Sequence, residues 1–159
     1  MTLLSVFILL VLLAHICEEG WRWLSPHFVT NFPSRFPEKA GIKSAIFGSL
    51  WLILITGGFA IPFGILTAIY LEEYAPKNVI TRWVKINIGN LAGMPSIVYG
   101  LVGLTIFVRF FGFGRSLLAG GLTLGLLVLP VVVISAQEAI RAVPLSIREA
   151  GFALGARRW

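Results

Sequence analysis

Four long stretches of the sequence contain no charged side chain, and they constrain the fold more than any other feature. They cover residues 1–17, 44–71, 86–108 and 116–137. Each Lys or Arg at the centre of a bilayer costs about 2.5–3.5 kcal/mol, so membrane-spanning helices exclude them. A helix needs about 20 residues to cross about 30 Å of hydrocarbon, and the last three stretches reach that length. The sequence therefore predicts an all-α integral membrane protein with about four transmembrane helices.

The first stretch is the shortest, with 17 residues before Glu18 and Glu19. A secretory signal peptide is the alternative to a spanning helix, but the stretch lacks a positively charged start and an Ala-x-Ala cleavage site. We therefore expect residues 1–17 to form the first transmembrane helix and residues 18–43 to form a loop on the outer side of the membrane.

Composition supports a membrane protein and argues against other classes. Charged residues make up 13% of the chain and hydrophobic residues 57%, whereas a soluble domain carries roughly a quarter charged residues. The 13 Lys and Arg give a net charge of +6, which suits contact with anionic lipid or an acidic partner. Because these cations lie in short segments between the stretches and not along one face, we expect no nucleic-acid partner. Cys17 is the only cysteine, which excludes an internal disulfide.

The charge-free stretches also argue against an enzyme. They contain no Asp, no Glu and no pair of His, so they offer no set of a base, a nucleophile or metal ligands. The GxxxxGKS/T loop that holds ATP phosphates is missing from the sequence. We therefore expect no catalytic residue, no metal site and no cofactor here, and any use of ATP requires a separate chain.

Glycines recur at four-residue spacing in the last two stretches. The pairs are Gly89 with Gly93, and Gly121 with Gly125. Small residues at this spacing let helix backbones approach closely in lipid. General enrichment of glycine in membrane helices explains the spacing equally well, so both interpretations stay open.

Pro95 interrupts the third stretch and suggests an anion site. Proline lacks an N–H and disfavours helix at Met94, so a helix that restarts there leaves Ser96 and its neighbours with unpaired N–H groups. Such a helix start carries partial positive charge and attracts anions. Pro95 and Ser96 are therefore candidates for a substrate pathway. A plain proline kink is the simpler alternative.

Charged residues at the ends of the stretches have alternative roles. Arg109 and Arg141 border the third and fourth stretches, which makes them candidates for the same pathway. Arg141 could instead pair with Glu138, three residues earlier on the same helix face. Glu72 and Glu73 follow the second stretch, where acids at a helix C-terminus are unfavourable, so we expect them to pair with a basic residue nearby. The basic candidates in the expected loop, residues 72–85, are Lys77, Arg82 and Lys85.

The segment after the fourth stretch changes character, with four Arg and two Glu in residues 137–159. Pro144 suits the first turn of a new helix, and Gly155 suits its end. On this helix one apolar stripe consists of Ile147, Ala150, Gly151 and Leu154. Small residues at the centre of the stripe let a partner protein come close, and an amphipathic helix lying in the lipid interface is the alternative.

The run Glu149, Ala150, Gly151 and, four residues later, Gly155 resembles the EAA loop of ABC importer permeases. In that family the loop forms a cytoplasmic coupling helix that docks into a groove of the ATPase. Gly151 replaces the second Ala of the pattern, which keeps the face small but weakens helix propensity by about 1 kcal/mol. The ATPase-coupling residues that the resemblance implies are Arg148, Glu149, Ala150, Gly151, Leu154 and Gly155. It also implies that residues 72–85 and 138–159 are cytoplasmic and that residues 18–43 form a periplasmic loop.

Two further strings closely resemble the phosphate-specific permeases of this family, above all their A-type subunit. They are AIPFGILTAIYLEEYAP at residues 60–76 and LAGMPSIVYGLVGL at residues 91–104. The resemblance covers residues 41–159 well and the first helix loosely. It implies the MetI-like architecture of type I ABC importers, with residues 44–159 as the N-terminal part of the permease domain. Because the family continues past the EAA loop through about two more helices, we expect an incomplete permease.

The resemblance implies a transmembrane permease subunit of an ATP-driven importer of inorganic phosphate in the bacterial inner membrane. The partners that it implies are a second, C-type permease subunit, a cytoplasmic ATPase dimer, a periplasmic phosphate-binding protein, phosphate and the lipid bilayer. Two alternatives remain. One is a permease for molybdate, sulfate or another solute, and the other is a membrane scaffold that transports nothing.

Overall fold

The computed structural model describes residues 2–156, so Met1 of the first stretch and residues 157–159 of the expected cytoplasmic end lie outside the described residues. Within residues 2–156 the chain forms helices and turns and no strand. Among these described residues, three helices are long and apolar enough to cross a membrane, and a bent pair of helices supplies a fourth span if it counts as one. The prediction of an all-helical membrane protein with about four spans is therefore confirmed.

The chain divides between Leu50 and Trp51 into two compact units. In the first unit, helix α1 covers Thr2–Trp21 and reaches spanning length because it continues past the end of the charge-free stretch. Helix α2 covers Pro26–Thr30, and a 3₁₀ turn covers Pro37–Lys39. The N–H of Gly41 donates to the carbonyl of Phe32 at 3.1 Å, and a Cβ at Gly41 would collide with the backbone of Asn31. The segment expected as a loop thus contains folded turns of its own.

The remaining helices range in length from 8 to 27 residues. Helix α3 covers Lys43–Ile69 and continues as a π-helical turn over Tyr70–Tyr74. Helix α4 covers Val79–Ala92, and helix α5 covers Ser96–Gly103 and continues as a π-helical segment over Leu104–Phe110. Helix α6 covers Leu117–Arg141, and helix α7 covers Leu145–Ala153. Because α4 begins at Val79, much of the loop expected at residues 72–85 is helical.

The third charge-free stretch does not form one straight helix. Helix α4 ends at Ala92, α5 begins at Ser96, and the two meet at a bend of 100°. Pro95 is the N-cap of α5, so the helix restarts there and the alternative of a plain kink is wrong. The hydroxyl of Tyr99 donates to the carbonyl of Leu91 at 2.8 Å, and the same carbonyl accepts the N–H of Met94 at 3.1 Å, so the end of α4 is bonded across the bend. No pattern in the sequence predicts this contact of Tyr99.

Glycines allow α6 to pack closely against α3. A Cβ at Gly121 would lie 2.6 Å from Cγ2 of Ile55, and a Cβ at Gly125 would lie 2.7 Å from Cδ1 of Phe59. Both distances are shorter than a carbon–carbon contact, which is optimal at about 3.5–4.0 Å. The close-packing interpretation of this glycine pair is confirmed. Within residues 2–156, a Cβ at Gly89 would have no neighbouring atom within 4 Å and one at Gly93 would lie 3.6 Å from the carbonyl oxygen of Asn90, so no close helix contact requires glycine at these two positions there.

A second set of small residues lines α3 on the side that is buried. Ala60, Gly64 and Ala68 recur at four-residue spacing and are all buried. A Cβ at Gly64 would lie 2.6 Å from Cγ1 of Val132, so this face of α3 also touches α6. Sequence analysis missed this pattern, although its spacing is the same as that of the glycine pairs.

Candidate functional site

Helix α7 begins and ends where its sequence indicates. Pro144 is its N-cap, and Gly155 takes a left-handed conformation with a φ of 85°. The N–H of Ala156 donates to the carbonyl of Gly151 at 3.0 Å, which closes the last turn. Proline at the start and glycine after the end thus produce a helix of nine residues.

The apolar stripe of α7 is open to solvent in the described part of the chain. Ile147 is 62% exposed and Leu154 is 90% exposed, and Ala150 between them is also exposed. The nearest atom to a Cβ built at Gly151 is Cβ of Ala156 at 3.9 Å, so the surface over Gly151 has room for a contacting group. Exposed apolar side chains around a small centre form a surface that another molecule can cover.

Arg148 fixes α7 to the rest of the second unit. Its guanidinium donates to Oε1 of Glu73 at 2.6 Å and, through its other terminal nitrogen, to the carbonyl of Ile140 at 2.6 Å. Both charged side chains are about three-quarters buried. Glu149, the next residue, is exposed and makes no hydrogen bond or ion pair with another residue of 2–156. Arg148 therefore holds α7 in place, and Glu149 stays available at the surface.

Glu72 joins three helices at one carboxylate. Nζ of Lys85 on α4 donates to its Oε1 at 2.7 Å. Arg141 at the end of α6 donates to both carboxylate oxygens, at 3.0 Å and 2.6 Å. A two-pronged arginine–carboxylate pair is among the stronger hydrogen bonds in proteins. The carboxylate is well buried, since the side chain of Glu72 is 13% exposed.

These contacts confirm one prediction and correct two others. Lys85 was among the loop cations expected to pair with Glu72 or Glu73, and it pairs with Glu72, whereas for Glu73 the expectation of a loop cation is wrong because Glu73 pairs with Arg148 on α7. The expected pairing of Arg141 with Glu138 on the same helix face is wrong, because Arg141 pairs with Glu72 instead. Glu72 offers two carboxylate oxygens on a side chain that is only 13% exposed, whereas Glu138 is exposed to solvent. A charge-assisted bond gains strength where water is excluded.

We call Glu72, Glu73, Lys85, Arg141 and Arg148 together the ionic joint. The joint connects the end of α3, the helix α4, the end of α6 and the helix α7. Each charge-assisted hydrogen bond contributes about 1.5–3 kcal/mol, with a lower value for Arg141 because its side chain is 56% exposed. A displacement of α7 must therefore either move the ends of the other helices or break these bonds.

The structure does not gather the four pathway candidates at one place. Pro95 and Ser96 lie at the bend between α4 and α5, and Arg109 is exposed near the turn that precedes α6. Arg141 lies at the opposite end of α6, whose 25 residues give a length of roughly 37 Å. Arg141 belongs to the ionic joint. Ser96 and Arg109 are also apart from each other, because they lie near opposite ends of α5 and its π-helical continuation.

Replacing Arg148 by Gln is expected to loosen α7. Gln cannot supply the two charge-assisted bonds to Glu73 and Ile140, and for these half-buried groups we expect a loss of about 1.5 kcal/mol. Amide hydrogen exchange in residues 145–153 should become about ten times faster. Glu149→Gln is the matched control, since it removes a charge from the same helix without removing a described contact. Equal exchange rates in wild type and Arg148→Gln would contradict the role of Arg148 as an anchor.

The chain is similar to bacterial permeases over most of its length. It is 38% identical over 152 residues to the probable ABC transporter permease protein YqgI of Bacillus subtilis, an alignment that covers 96% of this chain and 52% of that protein. It is 36% identical over 144 residues to the phosphate transport system permease protein PstA 1 of Mycobacterium tuberculosis, covering 91% of this chain and 46% of that protein.

The phosphate transport system permease protein PstA of Mycobacterium leprae is 40% identical over 125 residues, covering 77% of this chain and 41% of that protein. The chain thus spans about half the length of these curated relatives or somewhat less. No protein-family model matches the chain, and no solved structure matches it.

Proposed function

Because this chain is homologous over most of its length to PstA-type permeases of ABC transporters, we propose that it acts as a permease subunit of a phosphate importer. In this role it forms part of the translocation pathway for inorganic phosphate. Helix α7 docks to an ATPase through the surface around Glu149, Ala150 and Gly151, and ATP is hydrolysed by that separate chain.

The observation that carries this proposal is the combination of an exposed α7 with a firm attachment to the spans. The stripe from Ile147 to Leu154 is uncovered, so it is available to a partner. Another side of α7 is attached to the spanning helices, because Arg148 bonds to Glu73 after the end of α3 and to the carbonyl of Ile140 on α6. A helix with one side exposed to a partner and another side bonded to the spanning helices can transmit a displacement from the partner to those helices.

The ionic joint can transmit the displacement of α7 to the ends of the other helices. When the ATPase moves α7, the bond from Arg148 to Glu73 carries the displacement to the end of α3. The neighbouring Glu72 carries it to α4 through Lys85 and to α6 through Arg141. Three helix ends then move together, which is the requirement for opening one side of a pathway while the other closes.

The proposed assembly places the chain in the bacterial inner membrane. Its partners are a second, C-type permease subunit, a cytoplasmic ATPase dimer and a periplasmic phosphate-binding protein. Residues 1–17 belong to the first span, residues 18–43 to the periplasmic side, and residues 44–159 to the permease domain. The bend at Pro95 and Ser96, together with Arg109, is the proposed source of polar contacts for phosphate inside an otherwise apolar pathway.

Two other functions make different predictions. A permease for sulfate or molybdate would bring those anions into cells that depend on this chain, with no gain in phosphate uptake. A membrane scaffold would increase the uptake of none of the three. Uptake of labelled phosphate, sulfate and molybdate in the same cells therefore separates all three functions.

Replacing Gly151 by Trp is expected to prevent the docking of α7. The bulky indole would project from the small centre of the stripe and prevent a partner's surface from approaching closer than several ångströms. We expect the amount of ATPase subunit that co-purifies with the chain to fall by about tenfold and phosphate uptake to fall with it. A pull-down from detergent and an uptake assay measure the two effects.

Gly151→Ala is the matched control for this experiment. The added Cβ would lie 3.9 Å from Cβ of Ala156, so this variant changes the same position without adding a bulky group and should keep both the ATPase subunit and phosphate uptake. Both variants should retain the helix content and the elution volume of the wild type. The coupling role is refuted if Gly151→Trp retains the ATPase subunit and transports phosphate as the wild type does.

A further inference from the structure

A basic cleft opens between the end of α3 and the start of α4. It has a volume of about 540 Å³, and its lining includes Glu72, Lys77, Thr81, Arg82 and Lys85. The cleft lies directly after the long candidate span that ends at Tyr74. The end of a spanning helix lies at the depth of the lipid headgroups, so the cleft lies there as well.

The charges in the cleft are unbalanced in favour of cations. Three basic side chains face one carboxylate, and that carboxylate is already bound by Lys85 and by Arg141. Lys77 and Arg82 are exposed, and neither side chain makes a hydrogen bond or ion pair with another residue of 2–156. The cleft therefore has two cations whose charge the described chain does not neutralise.

The backbone at the start of α4 adds to this positive charge. Oδ1 of Asn78 accepts the N–H of Thr81 at 2.9 Å and caps the helix. The first turn of the helix is thereby fixed beside Lys77 and Arg82, and helix N-termini favour negative charge. This effect is secondary to the two side-chain cations, which are full charges.

The outer surface of α4 is suited to lipid. Val79 is 69% exposed, Ile80 is 72% exposed and Trp83 is 63% exposed, and all three lie in the first two turns. Trp is enriched at membrane interfaces, and a helix with exposed apolar and basic residues tends to lie in the plane of the interface. The bend of 100° lets α4 lie along the interface when α5 is upright in the bilayer.

We infer that this cleft binds the phosphate group of an anionic phospholipid, with Lys77 and Arg82 as the principal contacts. The acyl chains would lie against Ile80 and Trp83, where exposed apolar side chains adjoin the cations. Basic pockets beside membrane helices bind anionic headgroups in this manner. The inference depends on the chain being a membrane protein and not on which solute it transports.

Binding of phosphatidylglycerol to the purified full chain in detergent tests this inference. The probe is a fluorescent phosphatidylglycerol, with phosphatidylcholine of the same acyl chains as the zwitterionic comparison, which has no net charge. We expect phosphatidylglycerol to bind more tightly than phosphatidylcholine. Arg82→Gln should weaken its binding about fivefold, and Lys77→Gln combined with Arg82→Gln should weaken it about twenty-five-fold, since each cation near a membrane surface contributes a factor of about five.

The matched control removes the same charge elsewhere, by Arg22→Gln combined with Lys39→Gln in the first unit. This variant should bind phosphatidylglycerol as the wild type does. The inference is overturned if both double variants lose binding equally, or if the two lipids bind with equal affinity. It is also overturned if millimolar inorganic phosphate displaces the fluorescent lipid, because the cleft would then be a site for the free anion.

Lys85 is left unchanged in these variants because its bond to Glu72 supports the fold. Circular dichroism and the elution volume of each variant verify folding before the titration. A loss of binding with an unchanged fold supports the inference. If Lys77→Gln combined with Arg82→Gln fails to fold, Arg82→Gln and Lys77→Gln are tested separately, and unchanged binding in both would overturn it.

Discussion

Replacing Glu72 by Gln should lower phosphate uptake by about thirtyfold while the ATPase still docks to α7. The neutral amide cannot accept the three charge-assisted hydrogen bonds that Lys85 and Arg141 donate to the carboxylate. We expect the joint to lose about 2 kcal/mol, an estimate already reduced because Arg141 is 56% exposed. Uptake measured beside ATPase co-purification separates this loss of transmission from a loss of docking.

The control for this prediction is Glu138→Gln, which removes an exposed carboxylate from the last turns of α6 and is expected to have little effect. A second variant tests the pairing itself. Exchanging the two charges, with Glu72→Arg and Arg141→Glu together and with Lys85→Gln to remove the like charge beside position 72, restores one arginine–carboxylate pair and should restore part of the uptake. Wild-type uptake in Glu72→Gln, or no restoration by the exchanged pair in a folded protein, would contradict the proposed joint.

Replacing Gly121 by Ala is expected to destabilise the protein, although alanine is the better helix former. The added Cβ would lie 2.6 Å from Cγ2 and 2.8 Å from Cβ of Ile55, so α3 and α6 must move apart. Overpacking of this kind costs about 1–3 kcal/mol. The midpoint of thermal unfolding in detergent should therefore fall for this variant.

Gly120→Ala is the matched control one residue earlier in the same helix. There the added Cβ would lie 3.5 Å from Cδ2 of Leu52, which is an ordinary contact. Because alanine is favoured over glycine in a helix by about 0.5–1 kcal/mol, this variant should be neutral or slightly more stable. The two neighbouring substitutions should thus shift the midpoint in opposite directions. A rise or no change for Gly121→Ala would show that α3 and α6 are not in close contact at Gly121.

Properties that depend on a few neighbouring residues could be predicted from the sequence. The absence of charge over residues 44–71 and 116–137 is sufficient to predict two spans, because the cost of a buried charge depends little on which helix is adjacent. Pro144 and Gly155 were sufficient to bound α7, since each acts through its own backbone geometry. The apolar stripe of α7 follows from local periodicity, whereas its exposure depends on how α7 packs against the other helices.

Contacts between distant parts of the chain were decided by the tertiary structure. Arg141 has Glu138 three residues away, yet it bonds to Glu72, which is 69 residues away, because the packing of α3 against α6 brings the two helix ends together. Likewise Pro62 and Pro130 lie within continuous helices while Pro95 starts a new one. At Pro95 the hydroxyl of Tyr99 pairs the carbonyl of Leu91 and stabilises the bend. Sequence spacing specifies which groups can pair, and only the packing of the helices determines which of them do.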